Sequence, residues 1–93
     1  MTKEEATALA LAALARAGID HGQLMEVIFL SAEERQRAYR VAGIRVDKEV
    51  PDIWSVHFSP SPSDPPATDS MLIIHVDPRG KTYLFDLGGQ REI

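Results

Sequence analysis

At 93 residues the chain is long enough for one hydrophobic core and no more, so it reads as a single domain over 1–93. A formal net charge of −4, with Arg35, Arg37 and Arg40 set beside Glu33 and Glu34, excludes the basic stripe that a nucleic-acid binder turns toward phosphates. With no cysteine there is neither a disulfide framework nor a thiolate metal site, and no apolar run approaches the roughly 18 residues that cross a membrane.

A small domain without staples suits a reducing compartment. The opening segment MTKEEATALALAALARAG carries two acids in its first five residues and Arg16 inside its apolar run, unlike a secretory signal. The expected location is therefore cytoplasmic.

Thr2 stands where an N-cap belongs, with Glu5 three residues later as in a capping box. Ala6, Leu9, Ala10, Ala13, Leu14 and Ala17 recur at helical spacing and predict a helix whose small-residue stripe can lie close to a sheet. Gly18 supplies the left-handed residue that ends it, and Ile19 the hydrophobic contact that accompanies such an end.

Residues 24–30, LMEVIFL, are rich in β-branched and aromatic side chains and predict a strand. Ser31 and Glu34 form a second capping box, which predicts a short second helix over 32–42 ended by Gly43. Tyr39-Arg40-Val41 could equally open a strand running on through Val46. Asp47-Lys48-Glu49 reads as a charged turn, and Pro51-Asp52 breaks the chain before IWSVHF at 53–58. That segment alternates, with Trp54, Val56 and Phe58 on one face and Ile53, Ser55 and His57 on the other. Trp54 is read as a core anchor. Residues 59–70, SPSPSDPPATDS, hold four of the six prolines and no large apolar side chain, so they read as an exposed connection, with a binding loop as the alternative.

Residues 71–87, MLIIHVDPRGKTYLFDL, form the clearest hairpin signal. Pro78 fits the second position of a type I turn and Gly80 the left-handed position after it. A Pro-Arg-Gly loop sets Asp77 against Lys81 as a cross-strand charge pair, then His75 against Tyr83, Ile74 against Leu84 and Ile73 against Phe85. One face then carries Leu72, Ile74, Val76 and Leu84. The other carries Met71, Ile73, His75, Tyr83, Phe85 and Leu87. Either both faces are buried or one is offered to a partner.

Chemistry-bearing residues are sparse. His21 lies in an Asp-His-Gly turn and reads as solvated. His57 and His75 fall on predicted strands and could converge with Asp77 or Asp86 into a two-histidine, one-carboxylate site, but no H-x-H or H-x-x-x-H spacing requires it. None of the serines (Ser31, Ser55, Ser59, Ser61, Ser63, Ser70) sits in a nucleophile elbow. No catalytic, cofactor-binding or metal-ligating residue is assigned, and the expectation is a protein that is not an enzyme and holds no cofactor.

Three segments carry a family resemblance: Thr2 to Ala17, Trp54 to Phe58, and Ile73-Ile74-His75-Val76-Asp77 with Gly80. Over these the chain resembles the immunity protein 35 family of small bacterial domains, which includes chaperone-like members. Over the same helix and Val76-Asp77-Pro78-Arg79-Gly80-Lys81 it also resembles the PepSY-type domain. Residues 31–52 match neither pattern, and the Gly-Asn-Pro motif of the immunity family is missing before the last hairpin. Both resemblances imply a helix packed on a small antiparallel sheet and a role in binding or inhibiting another protein.

The expected architecture is α+β, an N-terminal helix on a three- or four-stranded antiparallel sheet, with a possible short second helix covering part of the other face. The expected function is a non-catalytic, immunity-like interaction module that neutralises or shelters a toxin-like or client-like protein, or self-associates. Its partner face comprises Ile73, His75, Tyr83 and Phe85, with no nucleic acid or membrane involved. The alternatives are a small metal-dependent enzyme using His57, His75 and Asp77, and a purely structural homodimer.

Overall fold

Thr2 and Gly18 bound the first helix, α1 (Lys3–Ala17). Thr2 Oγ1 accepts the Glu5 N–H at 3.1 Å, and Gly18 at φ 68° lets the Ile19 N–H return to the Leu14 carbonyl at 3.0 Å. Most of the stripe faces the core: Ala6, Ala10, Ala13 and Leu14 are fully buried, and Leu9 packs against the same cluster, whereas Ala17, in the last turn, is exposed.

The computed structural model describes residues 1–43, 51–60, 71–86 and 89–93, Asp86 by its backbone alone. The charged turn at 47–49, the strand continuation at 44–46, most of the proline-rich connection and Leu87 lie outside the described residues.

The strands are β1 (Leu24–Leu30), β2 (Ile53–Phe58), β3 (Leu72–Val76), β4 (Thr82–Asp86) and β5 (Gly89–Glu92). They form one antiparallel sheet in the order β1-β2-β3-β4-β5. The fold is thus α+β with α1 on the sheet, as the pattern implies. Its fifth strand exceeds the three or four expected, because Gly-Gln-Arg-Glu has no apolar alternation to announce it. Ile93 fastens that strand: its N–H donates to the Thr82 carbonyl at 3.0 Å, and its carbonyl accepts from Thr82 Oγ1 at 2.9 Å and Arg16 Nη2 at 3.0 Å.

Residues 32–41 form α2 (Ala32–Val41), which decides between helix and strand for Tyr39-Arg40-Val41. Ser31 caps it, its hydroxyl accepting the Glu34 N–H at 3.2 Å. Among the described residues no helix is long and apolar enough to cross a membrane.

The hairpin register agrees with the turn chemistry: Ile73 opposes Phe85, Ile74 opposes Leu84, and His75 opposes Tyr83. Val56, Phe58, Ile74, Val76 and Leu84 meet α1 in the core, each fully buried apolar side chain contributing about 1.5–3 kcal/mol. Trp54 is half-buried at the rim of this core and tilts against Phe29, ring centroids 5.1 Å apart.

The expected ion pair between Asp77 and Lys81 is replaced by something stronger. Asp77 is buried, and its Oδ1 accepts the backbone N–H groups of Arg79 and Lys81, both at 2.9 Å. Its Oδ2 faces the Arg79 guanidinium at 3.5 Å, while the Lys81 ammonium goes to Glu92 at 3.9 Å. A carboxylate between two strand ends does more by gathering amide donors than by meeting one exposed ammonium.

Candidate functional site

The face of the sheet opposite α1 carries Ser55 and His57 of β2, Ile73 and His75 of β3, and Tyr83 and Phe85 of β4. Helix α2 lies over one end of it. The Ala32 N–H donates to Asp52 Oδ1 at 2.7 Å and Arg35 Nη1 donates to the Pro51 carbonyl at 2.6 Å, so the segment entering β2 holds the helix down. Arg35, Ala38 and Tyr39, at helical spacing i, i+3 and i+4, line the inner side. Glu33 and Arg37, paired at 3.6 Å, remain on the outside. Between helix and sheet is a cleft of about 280 Å³.

Residues two apart on a strand share a face, and here this places Ser55 Oγ 2.7 Å from His57 Nε2. Ser55 is also the cross-strand partner of His75. His75 is 6% exposed, stacks on Phe85 with centroids 4.8 Å apart, and donates from Nδ1 to Gln90 Oε1 of β5 at 3.0 Å. Burial pushes its pKa below the ordinary 6.5; Gln90 pulls the other way, and the charges of Arg35 and His57 add to the lowering. His75 is therefore neutral at neutral pH. The Tyr83 phenol is raised above its usual value, first by desolvation and then by the carboxylates of Asp77 and Glu92.

The Ser55–His57 pair is the first half of a nucleophile and base. Completing it needs a group that orients the imidazole and amide donors for an oxyanion. Strand β2 is paired on both sides, so its amides belong to the ladders. Among the described residues no group of three histidine, cysteine or carboxylate side chains could hold a metal. Asp77, named in the metal alternative, is committed to the turn amides.

Ile73, His75 and Phe85, expected at a partner surface, are brought together as the floor of the cleft. Tyr83 shares the face but reaches toward the turn, its hydroxyl 3.4 Å from Asp77 Oδ2. The face is less accessible than its apolar pattern implies, because α2 and Gln90 cover part of it. His21, read as solvated, is instead half-buried against Phe58, ring centroids 4.9 Å apart. Arg35 and Gln90 were not singled out by sequence. The capping box announced the helix that carries Arg35, but not which side of it meets the sheet.

A second feature lies at the sheet edge. Among the described residues β1 has a neighbour on one side only, while α1 packs chiefly over β2, β3 and β4 and only Val27 of β1 is packed against the core cluster. Leu24, Met25 and Phe29 of this strand are 46%, 59% and 47% exposed, with a β-bulge between Leu24 and Glu26. The fold and these two features define a two-faced α+β sheet domain with a cleft under α2 and, among the described residues, an edge strand with exposed apolar side chains. Comparison with protein-family models, with curated proteins and with solved structures found no match to this chain.

Proposed function

We propose that the domain is a non-catalytic protein-interaction module, immunity-like in kind, that takes an extended segment of a partner protein alongside β1. The exposure of Leu24, Met25 and Phe29 on an open strand carries this reading. Sheet proteins usually blunt such an edge with lysine, proline, a charge or a bulge; β1 has its bulge and Glu26 near one end, but neither lysine nor proline, and Val27 to Leu30 pair with β2 in regular register. An added strand gains main-chain hydrogen bonds along the edge and seats alternate side chains beside Phe29 and Trp54. The net charge of −4 favours a basic partner, whose encounter it accelerates.

This reading moves the partner surface from Ile73, His75, Tyr83 and Phe85 to the adjoining edge. The test is site-specific photo-crosslinking in the protein's native cells, with the reactive group at Met25 on the β1 edge or at Arg91 on the β5 edge. Adducts with one partner from position 25, lost on Phe29→Lys in a protein that melts normally, support the proposal. Adducts equally frequent from Arg91, or unaffected by Phe29→Lys, refute it. Adducts with a second copy of the chain identify a homodimer instead and also refute it.

A further inference from the structure

Arg35 is 7% exposed, and among the described residues no carboxylate stands within ion-pair distance of it. Its guanidinium reaches the Pro51 carbonyl at 2.6 Å and the Tyr39 hydroxyl at 3.5 Å, both neutral groups. A guanidinium has five N–H donors, and a buried charge normally meets a counter-charge. The cation borders the cleft of about 280 Å³ under α2.

We infer that this cleft binds a small apolar monocarboxylate, its carboxylate on Arg35 and its tail on Ile73 and Phe85. The cation selects an anion and repels an amine. Arg35 is the buried cation of a lining that also holds Ser55, His57 and, on its exposed side, Glu34; one guanidinium matches a single charge, since a phosphate dianion would need a second cation, and the nearby Arg37 is held outside by Glu33. Neutral His75 adds no positive charge. The tail follows from the floor, where Ile73 and Phe85 supply apolar surface and Phe85 stacks on His75 with the rings inclined by 24°. An aryl tail adds a further aromatic contact to such a floor. The volume suits a ligand of about ten non-hydrogen atoms, given that a cavity of about 150 Å³ takes up benzene. Ile28 and Leu30 of β1 also line the cleft, but Leu24, Met25 and Phe29 do not, so the site is tested separately from the partner reading.

The probe is 3-phenylpropanoate, with 3-phenylpropanamide as its neutral isostere, titrated by NMR into the whole isotope-labelled domain. The acid is expected to bind with a Kd on the order of 1 mM or tighter, as its size allows. Its shifts should centre on Tyr39, Ile73, His75 and Phe85. The amide, and the acid on Arg35→Met, should bind at least about tenfold more weakly, because a charge-assisted contact is lost. Ile73→Trp, which fills the cleft and leaves Arg35 in place, should abolish binding. Equal affinity for acid and amide overturns the inference, as do shifts centred away from the cleft or the absence of binding. If Arg35→Met does not fold, the acid–amide comparison on the unaltered protein decides alone.

Discussion

Two adjacent residues of β4 separate the faces of the sheet, and truncating their neighbourhoods gives different losses. Ile74, opposite Leu84, is wholly buried beneath α1. Ile74→Ala removes three carbon groups, about 2.4 kcal/mol at about 0.8 kcal/mol each, and leaves a void that the flanking Val56 and Leu84 cannot fill. The total loss is about 3–4 kcal/mol. Phe85, one residue from Leu84, points the other way into a cleft that is already partly empty. Phe85→Ala forfeits its stack on His75 and a half-share of burial, about 1–2 kcal/mol together.

For a domain of this size each kcal/mol moves the melting midpoint by roughly 4–8 °C. Ile74→Ala should therefore lower Tm by about 12–30 °C and Phe85→Ala by about 4–15 °C. Denaturant melts give the same comparison as free energies, with m unchanged in both variants. Total stability of about 5–15 kcal/mol leaves both variants folded enough to measure. A Phe85→Ala loss equal to that of Ile74→Ala would show that the cleft side is packed as tightly as the α1 side. The two-faced description would then fail.

Protonation of His75 is disfavoured in the folded state, so the unfolded chain binds the extra proton first. Stability should be full above about pH 7, fall as pH drops below the ordinary value of 6.5, and level off once the lowered folded pKa is passed. His75→Gln should flatten that segment of the stability–pH curve, and an unchanged slope would refute the assignment. Asp77→Ala strands the Arg79 and Lys81 amides at the hairpin turn. The expected loss is about 2–4 kcal/mol by denaturant melt. Lys81→Ala, whose half-exposed ammonium faces exposed Glu92 at 3.9 Å, should cost under about 1 kcal/mol. Similar losses for the two would restore the cross-strand ion pair and refute the turn-capping role.

What was legible in the sequence was local and repeated. Thr2, Gly18, Pro78 and Gly80 act within four or five residues of themselves, and apolar alternation fixes which side of a strand faces α1, so the helix, the hairpin and its register follow directly. The site was not legible, because each of its parts is a departure from a local rule. Arg35 belongs to a polar helix that would ordinarily be solvated. It is buried only because Pro51 and Asp52, sixteen and more residues away, hold that helix on the sheet. Gln90 gains its position from a strand with no apolar pattern, anchored by Ile93. The Ser55–His57 contact was within reach, since both were already on one face of an alternating strand. What the alternation could not supply was a cover for that face. Gly22 shows the same limit at the other end of β2: its N–H donates to the Ser59 carbonyl at 2.9 Å, and an added Cβ would strike Ser59 and Pro60. An Asp-His-Gly turn announces no such partner. The places where local reading falls short therefore coincide with the places where distant backbone is brought against a polar side chain. In a domain this small, those are also the places with chemistry left to offer a ligand.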